Sequence, residues 1–224
     1  MNKNQTTAAK LLMLLIAIIA WFALVLQLFL QIDNAGLNGL TTSEAIFNYF
    51  SYFTILTNLL VAVSLTFALQ APESNPGRFF LNPITQSAVG LYILIVGIVY
   101  TIALRKIWDP QGLQLIADRL LHDAVPVLYL LFWLISIPKK VLAWNNVFSW
   151  LLYPFVYLVL VLTRGILDGW YAYPFLNGAV HGWGKVMLNI TFIFLAFLGV
   201  GLLMVAINHR GAKSQMLKEP ESSD

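Results

Sequence analysis

Residues 45–71 read AIFNYFSYFTILTNLLVAVSLTFALQA, a run with no formal charge anywhere in it. A hydrocarbon core about 30 Å thick is crossed by about 20 helical residues. The stretch therefore predicts a helix in a membrane, not a buried helix of a soluble domain. It is also marked by polar groups, with Ser51, Thr54, Thr57 and Asn58 among the aliphatic and aromatic residues. Polar side chains at membrane depth are costly and persist where they have a partner or a task.

Working outward, five more stretches qualify or nearly do: 11–31, 86–104, 124–138 extended back through Leu120, 143–163 and 186–208. The predicted fold is thus all-α, a polytopic six-helix transmembrane bundle forming one domain over residues 1–208. Residues 209–224 are a polar tail expected to be disordered in the cytoplasm. Composition agrees, since 59% of the 224 residues are hydrophobic, only 10% are charged and the mean hydropathy is +0.78. Soluble domains carry nearer a quarter charged residues. Glycine and proline punctuate the joints at Gly36, Gly39, Pro72, Pro76, Pro110, Gly112, Pro138, Gly165 and Gly169. The first run exceeds a signal-peptide core and lacks a small-x-small cleavage site before Asp33, so it reads as a retained span.

Six crossings put both termini on one side. The N-terminus, the second and fourth loops and the C-terminus hold Lys3, Lys10, Arg78, Lys139, Lys140, Arg210, Lys213 and Lys218; the other loops hold Arg105, Lys106, Arg119, Arg164 and Lys185. That bias predicts cytoplasmic termini in a multi-pass cell-membrane protein. The second and fourth spans then run inward from the outer face. Thr41-x-x-Glu44 is a capping box that starts the second. At about 1.5 Å per residue, Thr54 lies about 18 Å along it, and His122 about 16 Å along a fourth helix starting near Gln111. A hydroxyl and an imidazole at one depth can meet.

Phe47, Ser51, Thr54 and Asn58 follow the spacing of one helical face, which predicts a polar stripe turned into the bundle. Interhelical hydrogen bonding would produce the same stripe. One turn before His122 stands Asp118, placed to orient the imidazole or to sit solvated near the helix start. Arg119 and Asp123 read as a helix-surface ion pair. Asn58 is a candidate oxyanion donor. The aromatic run Gly169–Leu176 is too short to span and predicts an outer interfacial segment, with Trp170 and Tyr173, along with Ser51, as candidate cleft residues. With no cysteine, thiol chemistry, disulfides and thiolate metal sites are excluded. No G-x-S-x-G, H-E-x-x-H, Walker A or G-x-G-x-x-G pattern occurs. No metal or cofactor is expected, and the net charge of +3, with basic residues scattered, offers no nucleic-acid surface.

Tyr52-Phe53-Thr54, His122 opening the fourth span and Tyr173-Pro174-Phe175-Leu176 in the last outer loop resemble the androgen-induced family of multi-pass membrane hydrolases. Its characterised animal members cleave fatty acid esters of hydroxy fatty acids with an intramembrane threonine and a histidine. The resemblance covers most of the chain in order and spacing and is that of a compact bacterial-type relative, in a bacterial cytoplasmic membrane. It implies Thr54 as nucleophile, with Thr57 one turn away as the alternative, and His122 as base. It also implies membrane lipids as partners, a lipid ester as substrate, and activity without a cofactor. A different class of function, a small transporter or lipid-binding protein with a polar intramembrane path, is also consistent with the polar residues. The spans show no internal repeat of the kind transporters often carry.

Overall fold

The computed structural model describes residues 7–210, in which all regular structure is helical. The elements are α1 (Thr7–Asp33), α2 (Thr42–Tyr49), α3 (Phe53–Gln70), α4 (Asn75–Leu81), α5 (Pro83–Val99), a π turn (Tyr100–Leu104), α6 (Gly112–Arg119), a second π turn (Leu120–Ala124), α7 (Val125–Ser136), α8 (Asn146–Trp150), α9 (Leu152–Asp168), α10 (Gly178–His181) and α11 (Trp183–Arg210). Five stretches are long and apolar enough to cross a membrane: Thr7–Asp33, Phe53–Gln70, Pro83–Leu104, Asn146–Asp168 and Trp183–Arg210. The fourth expected stretch lies on a helical course that starts earlier, at Gly112, and runs through the second π turn to Ser136. It carries Asp118, Arg119 and Asp123, so it is not an uninterrupted apolar helix.

The second expected span is broken. The capping box forms, with the Glu44 amide donating to Thr41 Oγ1 at 3.2 Å and the Thr41 amide to Glu44 Oε2 at 2.8 Å. These Thr41 donors hold the Glu44 carboxyl below its ordinary range. The cap's contribution is therefore present above the usual carboxylate pKa and is lost as pH falls through the lowered folded value. The helix it starts stops at Tyr49, however, and a new one starts at Phe53. The break has a long-range cause. The Tyr157 hydroxyl on α9 donates to the Ser51 carbonyl at 2.9 Å and accepts the Phe53 amide at 3.2 Å. Arg164 donates to Ser51 Oγ and Asn48 Oδ1, its guanidinium lying between the Phe47 and Trp170 rings. The single stripe expected from Phe47 to Asn58 is thus two separate helical faces, and Phe47 is exposed.

α1 packs on α3, α6 and α7, and α5 on α3, α7 and α11, whereas α9 and α11 scarcely touch. Trp133, Tyr129, Phe132, Leu65 and Leu91 are fully buried between them. Several polar groups in this core are paired, as burial favours. Trp133 Nε1 donates to Ser87 Oγ at 2.8 Å and the Tyr129 hydroxyl to the Gln86 carbonyl at 3.1 Å. At the other end α11 continues to Arg210, two residues past the expected boundary, and His209 Nε2 lies 2.7 Å from the Leu142 carbonyl. The rest of the expected tail, residues 211–224, and the N-terminal Lys3 lie outside the described residues.

Candidate active site

The second π turn owes its form to Pro126. Proline has no amide hydrogen, so the His122 carbonyl loses its ordinary partner four residues on. The Val125 amide reaches back to the Leu120 carbonyl instead, which also releases the Leu121 carbonyl. Both freed groups are accommodated. Asn58 Nδ2 donates to the Leu121 carbonyl at 3.3 Å, and the His122 carbonyl faces the Cα of Gly97, where an added Cβ would stand 3.0 Å from it. The first π turn, on the adjoining helix, presents Tyr100 toward His122. π turns of this kind recur at functional sites.

His122 is held on three sides. Its ring stacks on Tyr100 with centroids 4.0 Å apart and planes 15° from parallel. Its Nδ1 lies 3.0 Å from the Asp118 carbonyl and 3.2 Å from Asp118 Oδ1. Both are acceptors, so the proton belongs on Nδ1 and Nε2 keeps its lone pair. That Nε2 lies 3.3 Å from Thr54 Oγ1. Asp118, 4% exposed at its side chain, also accepts the Tyr100 hydroxyl. Asp118, His122 and Thr54 thus form a hydrogen-bonded line from carboxyl to imidazole to hydroxyl, the arrangement by which a weak hydroxyl nucleophile is activated.

Thr54 owes its position to the break before it. It is the second residue of α3, where amides have no partner within the helix and the macrodipole is positive. The Thr54 amide donates to the Tyr173 hydroxyl at 3.4 Å, and the Ile55 amide takes no backbone acceptor. Burial pushes the Tyr173 phenol above its ordinary pKa, so it stays protonated and able to donate. Tyr173 reaches the site because the loop between α9 and α10 folds in against it. Its ring stacks on Phe175 and meets Tyr52 edge-on, while Tyr171 fills the space beside Gly165, where a Cβ would lie 2.1 Å from the ring.

Two cavities meet at Thr54. One, of about 330 Å³, is bordered by Gln27, Gln31, Tyr52, Gln114, Asp118 and His122. The other is a narrow apolar slot of about 70 Å³ between α5, α9 and α11, lined by Ile95, Val99, Leu158, Ile190 and Phe194 among others. Thr54, Tyr100, Leu104 and Tyr173 border both. The slot lies between α9 and α11, whose backbones scarcely approach each other.

The remaining expected site residues lie elsewhere. Asn58 is not placed as an oxyanion donor. It is fully buried, and its amide protons go to the Thr54 carbonyl at 2.9 Å and the Leu121 carbonyl, while Oδ1 has no partner among the described residues. Thr57 is buried, with its hydroxyl 3.4 Å from that of Tyr153, and does not reach His122. Ser51 and Trp170 border neither cavity, since Ser51 is held by Arg164 and Trp170 covers that guanidinium. Arg119 and Asp123 pair as expected at 2.9 Å, and Arg105 joins them. Among the described residues no cluster of His, Asp and Glu suits a metal ion. Tyr100 escaped the sequence reading, although a phenol at the end of an apolar span was a signal that it needed a partner. Comparison with known protein families, curated proteins and solved structures finds no match.

Proposed function

We propose that the chain crosses a bacterial cytoplasmic membrane six times, with both termini in the cytoplasm, and hydrolyses lipid esters within the outer leaflet. In this reading Thr54 is the nucleophile and His122 its general base. The observation that carries it is the 3.3 Å approach of Thr54 Oγ1 to His122 Nε2 where an apolar slot meets a polar chamber. The apolar slot receives the first carbons of an acyl chain, the rest of which lies in the membrane, leaving the ester carbonyl at Thr54. His122 takes the hydroxyl proton as Oγ1 bonds to the carbonyl carbon. The Tyr173 hydroxyl and the Ile55 amide are the donors nearest the developing oxyanion, and such donors are worth about 100-fold to 1000-fold each. Collapse of the tetrahedral species breaks the bond to the alcohol, which leaves with the proton from His122. Water admitted through the polar chamber then attacks the acyl-threonine, its proton passing through His122 to the regenerated hydroxyl. The sequence resemblance to hydrolases of fatty acid esters of hydroxy fatty acids points to the same reaction.

A transport path is disfavoured by what lies beneath the site. Val61, Leu65, Leu121, Val125 and Tyr129 are 2% exposed or less and belong to one closely packed core cluster. The test is covalent labelling of purified protein by a fluorophosphonate and turnover of a fluorogenic fatty acyl ester. Thr54→Ala and His122→Ala are expected to lose both, and undiminished labelling in the two variants would overturn the reading.

A further inference from the structure

The chamber on the alcohol side of Thr54 carries a selective feature of its own. Gln114 Nε2 donates to Gln27 Oε1 at 2.7 Å, which leaves a free amide N–H on Gln27 and a free carbonyl lone pair on Gln114. The Gln31 side chain and the Tyr52 hydroxyl border the same space and make no hydrogen bond among the described residues. Donors and acceptors are therefore interleaved, as alcohols require; a phosphate or carboxylate needs donors alone. No lysine or arginine among the described residues borders the chamber. The nearby arginines are committed elsewhere: Arg105 and Arg119 to Asp123, and Arg164 to Asp168, Ser51 and Asn48. The one carboxyl on the wall is Asp118, which would face any anion placed there. An unpaired anion in a partly dehydrated space is strongly disfavoured.

Resting on the hydrolase reading, we infer that the alcohol released is a small neutral polyol, a glycerol or sugar head group, and that esters with an anionic head group are poor substrates. The chamber of about 330 Å³ lies at the small end of the range for ligand pockets and suits such a group. The reaction balances as ordinary hydrolysis: the acyl–oxygen bond breaks, water supplies hydroxyl to the acid and hydrogen to the polyol, and nothing is oxidised or reduced. The inference differs from the substrate class that the resemblance suggests, whose alcohol half bears a carboxylate.

The full chain in nanodiscs is offered oleoylglycerol, its phosphate, and the oleate ester of a hydroxy fatty acid, all with the same acyl chain. Oleoylglycerol is expected to be cleaved with a kcat/KM about tenfold or more above both anionic esters. Gln31→Arg places a cation in the chamber and is expected to shift the ratio toward the phosphate; Trp108→Lys, at the half-exposed lip, serves if the first variant does not fold. Equal or faster cleavage of either anionic ester by the unmodified chain overturns the head-group inference and leaves the hydrolase reading standing, and so does an unchanged ratio in the folded variants. Absence of turnover on all three esters, together with absence of Thr54 acylation by a fluorophosphonate, overturns the hydrolase reading and the inference with it.

Discussion

Asp118→Asn gives the sharpest test of how His122 is held, because the structure limits how much the substitution can cost. In a triad whose carboxylate alone sets the tautomer, the same exchange costs about 10⁴-fold, a figure established for serine proteases. Here the Asp118 backbone carbonyl, 3.0 Å from Nδ1, survives the substitution and still favours the proton on that nitrogen. What is lost is the charge-assisted contact of Oδ1 at 3.2 Å, which stabilises the imidazolium formed during attack. Such a bond is worth about 1.5–3 kcal/mol. At about 1.36 kcal/mol per factor of ten, kcat for a fluorogenic ester falls about 10-fold to 150-fold. Tyr100 adds a second constraint. Its hydroxyl donates to Asp118 Oδ2, so the aspartate serves two donors with two oxygens. An asparagine has one oxygen, for which the phenol then competes with the imidazole. Removing the phenol frees that oxygen for His122, so Asp118→Asn with Tyr100→Phe is expected to be more active than Asp118→Asn alone. Such reversal of sign marks direct coupling. A single-variant loss as deep as that of Thr54→Ala, or a double variant worse than either single, would refute this account.

Four further outcomes are expected. Tyr173→Phe removes one oxyanion donor and lowers kcat about 100-fold or more with little change in KM, read from steady-state kinetics. Thr57→Val deletes the hydroxyl facing Tyr153 and costs stability by about 1 kcal/mol, while fluorophosphonate labelling stays at the unmodified rate; lost labelling would move the nucleophile to Thr57. Asn58→Leu strands the Leu121 carbonyl and is expected to lower the Tm in detergent together with activity, whereas an oxyanion donor would affect kcat alone. Gly165→Ala drives a methyl into the Tyr171 ring and displaces the loop that delivers Tyr173, so turnover falls; Gly184→Ala, with open space around it, is silent.

The apolar runs, the capping box at Thr41 and the meeting of Thr54 with His122 were legible because each could be reckoned from residues close in sequence. Periodicity and rise per residue suffice for them. The break between Tyr49 and Phe53 was not, since no proline or glycine marks it. It is held by Tyr157 and Arg164, more than a hundred positions away. That same break puts Thr54 in a first helical turn, so the reading of a long helix brought Thr54 and His122 together through a wrong geometry. Asn58 was taken for a donor to substrate because its type and spacing allow it. Which carbonyls it would serve depended on a π turn that the Pro126 ring provokes in another helix. The loop at Tyr173 showed only its aromatic content, and its inward fold rests on Gly165 accepting the Tyr171 ring.

The π turn at Leu120–Ala124 holds one residue more than an ordinary turn would. Deleting one residue there would turn everything on one side of the join by about 100° against the other. Tyr129, Phe132 and Trp133, fully buried on α7, would leave their neighbours as the imidazole swung off the threonine. The extra residue therefore holds the packed face and the reactive face of one helical course in register with each other.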